Sequence, residues 1–287
     1  MKNPLLFILA CLASPSLYAA VTATSDFSNG LDGFTAITGN TSTDTSSGAL
    51  VFVASGSNQG SGVSINPTTV LGSSLSSFLL DSSGNPIPDA SVFFEFSTIV
   101  PADTGSEVGF FLGPVGNNVA SDSISPNGAN NNLFTLFLHD SGGDIQLSAQ
   151  NNGQVNNNPN SIGNGTGGEQ DILTNLGVGT ELTISIELSI VNGANNGIAS
   201  TYIVTATGTD DAGNPVIATS SFDGAQQNLN AGSIDGFDFA VITTEDLSAN
   251  IDDFTVSDMP ITSVPEPTAV FLTILSLPVI LRRKRHA

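Results

Sequence analysis

The sequence predicts an all-β fold, an antiparallel β-sandwich, and three observations carry that prediction. Strand patterns recur at short intervals from Ala49 to Val256, separated by clusters of Gly, Asn, Asp and Ser. Helix-period segments are scarce, so crossover helices that would make neighbouring strands parallel are missing. The stretch Glu181–Ile190 alternates without a break. Leu182, Ile184, Ile186, Leu188 and Ile190 form one face, while Glu181, Thr183, Ser185, Glu187 and Ser189 form the other. That is the pattern of a half-buried antiparallel strand.

In chain order, Asp26–Phe34 is a turn-rich lead-in. Ala49–Val53 reads as a short strand, with Val63–Ile65 and Thr69–Leu71 as weaker ones. Ser91–Val100 is a strong strand that sets Val92, Phe94 and Phe96 on one face. Val108–Leu112, Leu133–His139, Asp144–Ala149 and Ile172–Leu176 follow, then Glu181–Ile190, Thr201–Thr207, Val216–Phe222, Ile234–Thr243 and Asn250–Val256. Asp140-Ser141-Gly142-Gly143 joins two of these in a hairpin. The Asn-, Ser- and Gly-rich segments 114–132 and 150–169 join the open end of that hairpin and must emerge side by side. Loops of that length are functional or disordered; the sequence reads as mobile surface loops, with a polar ligand rim as the rival. Asp81–Ile87 and Asp210–Val216 share a D-x-x-G-N-P-aliphatic pattern. Asp and Asn make local turn bonds, Gly supplies positive φ and Pro closes the turn, so both read as turns. Neither has the alternating acids and distal Glu of an EF-hand loop.

Disorder is the competing reading of an acidic, low-complexity chain. Fifteen phenylalanines between Phe27 and Phe254 argue against it, at about 1.5–3 kcal/mol each when buried. A body of roughly 240 residues can hold one sizeable core.

The two ends carry an address. Lys2, the apolar run Pro4–Ala13 and the small-residue zone Ser14–Ala20 form a secretory signal peptide, cleaved after Ala19 or Ala20. Cys11 leaves with it, and no cysteine follows. At the other end, Pro265 and Pro267 flank Glu266, and no helix or central strand runs through them. Thr268–Leu281 is uncharged, and as a helix it would span about 21 Å, short of the roughly 30 Å bilayer core. Pro278 should kink it, and Arg282 and Arg283 can snorkel. The basic stop Arg282-Arg283-Lys284-Arg285 keeps that end cytoplasmic and puts the body across the membrane.

Val264, Pro265, Glu266 and Pro267, the apolar segment and the basic cluster, in that order, resemble the PEP-CTERM sorting signal of exosortase substrates. The resemblance implies that an exosortase-type membrane peptidase recognises the motif and removes the tail. The body is then left in the cell envelope, at the surface or in the exopolysaccharide matrix of a Gram-negative bacterium. The chain thus divides into a signal peptide (1–20), a sandwich domain (21–258), a linker with the motif (259–267) and a tail (268–287). With its ends the fold class is a β-sandwich plus an N-terminal signal helix and a short C-terminal apolar helix.

No Lys or Arg lies between residues 3 and 281, and of the 26 acidic residues all but Glu266 lie in the body. Such a body makes no Lys or Arg salt bridge and cannot neutralise phosphates, which excludes nucleic acid as a partner. Self-repulsion should cost stability at low salt.

The residues for chemistry are few. His139 is the body's one histidine, so a three-histidine zinc site and any cysteine-based zinc site are excluded. A Ser-His-Asp triad would have to use His139, and no nucleophile motif accompanies it. Glu181 and Glu187 share a polar face but stand about 20 Å apart along a strand, too far for a glycosidase pair. The chain has no Trp, and Tyr202 is the body's only Tyr, so ring stacking on a sugar would fall to Phe. No cofactor is called for by the residues. Calcium, held by Asn and Asp, is the one open candidate.

Asp26–Phe34, the long pair Glu181–Ile190 and Thr201–Thr207, and the closing Ile251–Val256 give the body a resemblance to jelly rolls of the concanavalin A/laminin-G type. This implies that the first and last strands lie together. The expected function is that of a secreted, non-enzymatic surface or matrix protein with a structural or adhesive role. A calcium-dependent carbohydrate-binding module is the alternative, and an extracellular glycoside hydrolase the third.

Overall fold

The computed structural model describes residues 22–37, 41–54, 61–102, 108–113, 134–141, 143–150, 169–193, 197–226, 228–243 and 248–260. The signal peptide, the motif Val264–Pro267, the apolar segment 268–281 and the basic stop Arg282–Arg285 lie outside them, as do segment 114–132 and all but the ends of 150–169.

The strands are β1 (Thr22–Ser25), β2 (Thr35–Ala36), β3 (Thr41–Asp44), β4 (Leu50–Ala54), β5 (Ser61–Ile65), β6 (Ser91–Ile99), β7 (Val108–Gly113) and β8 (Phe134–Ser141). They continue with β9 (Asp144–Gln150), β10 (Glu169–Leu173), β11 (Glu181–Asn192), β12 (Ile198–Thr209), β13 (Pro215–Gln226), β14 (Asp238–Thr243) and β15 (Ser248–Ser257). Three one-turn helices join them: α1 (Pro67–Leu71), α2 (Leu75–Leu79) and α3 (Ala231–Asp235). The strands form two antiparallel sheets. The first runs β13-β12-β11-β6-β15-β4-β3, with β1 also on β15, and the second runs β10-β9-β8-β7-β14-β5-β2.

The fold is the expected antiparallel sandwich. On β11 the five even-numbered apolar residues are buried and the odd-numbered ones face out. Its neighbours β6 and β12 keep the same register, so Phe94, Ile186 and Val204 line up inward. The first and last strands do pair, from Thr22 opposite Ser257 to Ser25 opposite Phe254. Between the sheets the aromatic rings pack as a chain. Phe239 lies 5.0 Å from Phe96 and 4.8 Å from Phe254, and Phe34 meets Phe254 edge-on at 5.2 Å.

Both D-x-x-G-N-P segments are turns. In the first, Asp81 Oδ1 accepts from the backbone N–H groups of Ser83 and Asn85. In the second, Asp210 Oδ1 accepts from the Asn214 N–H at 2.7 Å.

Two strand expectations need correction. Thr69–Leu71 is not a strand but the second half of α1. Asn66 caps it by accepting from the Thr68 N–H, Pro67 opens it, and Gly72 closes it at φ 67, a left-handed value that glycine takes without strain. Ile234 belongs to α3, and the strand that follows starts only at Asp238. The helix α2 was not expected at all. Its own Ser74 makes no side-chain cap; Asp235 of α3 does so instead, accepting from Ser76 N at 2.8 Å and Ser76 Oγ at 2.9 Å. That capping comes from a residue 159 positions away, which no local pattern reveals.

Candidate functional site

The outer face of the second sheet carries the most chemistry. Register places Ser64, Ala240, Phe111 and Thr135 in one outward row, and Gly62, Ile242, Gly109, Phe137, Ser148 and Asp171 in the next. His139 stands opposite Gln146 beyond them. Phe111, Phe137, Ala240 and Ile242 are buried yet form no part of the cluster between the sheets.

A β-bulge brings Asp171 into this row. The register shifts between Asp171 and Leu173. One extra residue on β10 therefore lets Ile172 and Leu173 both join the core while Asp171 turns outward.

The polar groups are linked. Ser148 Oγ donates to Asp171 Oδ1 at 2.9 Å, His139 Nε2 lies 3.1 Å from Ser148 Oγ, and Gln146 Nε2 lies 3.1 Å from His139 Nε2. The Phe137 ring packs 4.9 Å from the imidazole. Ser148 and Gln146 form a buried floor, His139 is half-buried and Asp171 is exposed, so the row opens to solvent at its Asp171 end. Thr135 is wholly buried in the adjoining row, and its Oγ1 has no hydrogen-bond partner.

This set is not a charge relay. A nucleophilic serine gives its proton to a histidine that the carboxylate holds. Here Ser148 has one proton and gives it to Asp171, so the carboxylate holds the serine. The arrangement is one of donors and acceptors beside an aromatic ring, suited to hydroxyl groups of a ligand.

The other candidates from sequence lie elsewhere. Glu181 and Glu187 sit on the outer face of the first sheet, where Glu187 Oε1 accepts from Ser91 Oγ at 2.6 Å. Tyr202 is no sugar platform. It is buried and stacked on Phe134 with ring centroids 4.2 Å apart, and burial pushes its hydroxyl pKa above the ordinary value. Among the described residues no three His, Cys, Asp or Glu side chains group as a metal site would require. The hairpin β8–β9 is as expected, with Thr135 opposite Gln150 at its open end. The segments beyond that end fall outside the described residues.

The sequence reading counted Phe111 and Phe137 among the fifteen phenylalanines of the body and assigned neither to a face. A signal was present: β7 (VGFFLG) and the start of β8 (FTLFL) are apolar on both faces, unlike β11. That two-sidedness means a second covered face, in keeping with the burial of Phe111, Phe137, Ala240 and Ile242.

No protein-family model matches the chain, and no curated protein matches it by sequence. Solved structures resemble it in architecture. One is the CBM2 module of the evolved Dit of Lactobacillus casei BL23 phage J-1, at 11% identity and TM-score 0.43, covering 85% of this chain and 99% of that one. Another is the Emp46p carbohydrate recognition domain in its potassium-bound form, at 14% identity and TM-score 0.40, covering 82% and 93%. A third is the PL-14 alginate lyase from Aplysia kurodai, at 12% identity and TM-score 0.40, covering 76% and 86%. These are likenesses of fold, and no site residue is carried over from them.

Proposed function

We propose that the chain is an exported, envelope-sorted, non-catalytic sandwich whose adhesive role is to hold a neutral polysaccharide on the outer face of its second sheet. The observation that carries the binding half is the row Asp171–Ser148–His139–Gln146 beside Phe137. Its exposed Asp171 and half-buried His139 offer a carboxylate and an imidazole to sugar hydroxyls, held in place by the buried Ser148 and Gln146 and by the buried Phe137 ring. The ligand is neutral because Asp171 forms the open rim and the body holds no Lys or Arg to pair with a uronate or sulfate. The export and sorting half is supported by residues 1–20, Val264–Pro267 and Arg282–Arg285. Its partner is an exosortase-type peptidase, and its place the surface or matrix of a Gram-negative cell.

Retention on a neutral glucan gel, against an alginate gel, tests this. Saturable retention on glucan alone is expected, and Asp171→Ala or Gln146→Ala should weaken it at least tenfold. Retention unaltered by either variant, or absent from every neutral glycan tried, would defeat the binding half. Adding calcium and then chelator separates this reading from the calcium-dependent one, which requires retention to vanish with the chelator.

A further inference from the structure

We infer that β13 is a docking edge for a second copy of this chain, joining two first sheets into one continuous sheet. A sheet edge presents unpaired N–H and C=O groups, and proteins blunt such edges with charge, proline, bulges or short length. The second sheet ends in β10, which carries Glu169 and Asp171, and in the two-residue β2. The first ends in the short β3, which closes on Asp44, and β1 offers four residues. By contrast β13 is 12 residues long, and Val216–Phe222 holds no charge and no proline. Its register on β12 is regular from Asp223 opposite Thr201 to Pro215 opposite Thr209, so no bulge turns this stretch away. Among the described residues no strand hydrogen-bonds to its far side, although β10 of the second sheet approaches β13. Ile217 on it is 70% exposed.

The charge of the body restricts where a second copy can meet it. With no cation between residues 3 and 281, two copies repel wherever carboxylates meet. An antiparallel pairing of β13 with itself about Thr219 sets Ile217 opposite Ser221, and Asp223 opposite Pro215. No carboxylate then faces another. Such an interface is closed and two-fold, so it gives a dimer and not a fibre.

The full-length chain in mild detergent, carrying Cys11→Ser, tests the inference by sedimentation and by oxidative cross-linking. Single cysteines at Ile217, Thr219 and Ser221 scan the two-fold axis, because strands paired there bring equivalent Cα atoms within disulfide reach. Thr43→Cys on β3 is the control. Thr219→Cys should cross-link more readily than Ile217→Cys or Ser221→Cys, and Thr43→Cys should not. With the axis at Thr219, Thr219→Asp and Thr219→Lys each set like charges opposite one another, so both should raise the dissociation midpoint by about two- to fivefold. An association driven merely by relief of negative charge would instead be strengthened by Thr219→Lys. A monomeric native chain, a dimer whose midpoint neither Thr219 variant raises, or no cross-link at any scanned position would overturn the inference. None of these readouts depends on glycan retention.

Discussion

Thr135→Val should stabilise the protein. The Thr135 side chain is wholly buried, and its hydroxyl has no hydrogen-bond partner. A buried donor left unsatisfied costs about 1–3 kcal/mol relative to water. Valine replaces that hydroxyl with a methyl of similar volume on the same β-branched frame, so the strand keeps its shape. The expected gain is about 1–2 kcal/mol, which for a domain of this size raises Tm by roughly 2–8 °C. Chemical and thermal unfolding of the two proteins measure it. Thr205→Val is the contrast. Its hydroxyl meets Thr219 Oγ1 at 3.0 Å on an exposed face, and it should gain nothing. A Thr135→Val protein less stable than the native one would refute the reasoning, since the hydroxyl would then be satisfied in the folded state.

Phe239→Ala removes the ring that links Phe96 to Phe254 at the centre of the core and should cost about 3–5 kcal/mol in urea unfolding. Asp235→Ala should cost about 1 kcal/mol, because it strips the long-range cap from α2; an unchanged Tm would remove that role. Burial holds the Glu95 carboxyl above its ordinary pKa. Its folded state therefore binds the proton more tightly than the unfolded one, and its contribution, present below the ordinary carboxylate range, is lost as pH rises through the raised value. Glu95→Gln should accordingly raise stability at neutral pH and leave it little changed in acid. Asp81 and Asp210 run the other way. Hydrogen bonds from Asn85 and from Asn214 depress their pKa values, so their contribution is lost as pH falls through the depressed values, and Asp81→Ala should matter at neutral pH and vanish in acid. Sodium chloride should raise Tm, since the body between residues 21 and 263 carries many Asp and Glu and no Lys or Arg.

Much of the architecture was legible because a strand's side-chain period is a local property. Alternation on β11 and the apolar face of β6 identified their inward residues one by one. The two D-x-x-G-N-P turns were legible for the same reason: their hydrogen bonds run only two to four residues along the chain. One-turn helices were not, because five residues are too few to show a helical period. In α1 the punctuation Asn66-Pro67 and Gly72 was present, but the β-branched Thr69-Val70 outweighed it.

The candidate site lies at the other extreme. His139, Gln146, Ser148 and Asp171 come from three strands, and nothing in their separate surroundings marks them as a group. Residue types and faces along each strand were determined by the sequence on its own, through sterics and burial that act within a few residues. Which strands became neighbours, in what register, and where the bulge turned Asp171 outward were decided only by the tertiary structure. Backbone hydrogen bonds between distant segments and the shared burial of two sheets set those choices together, and no short stretch of chain contains them.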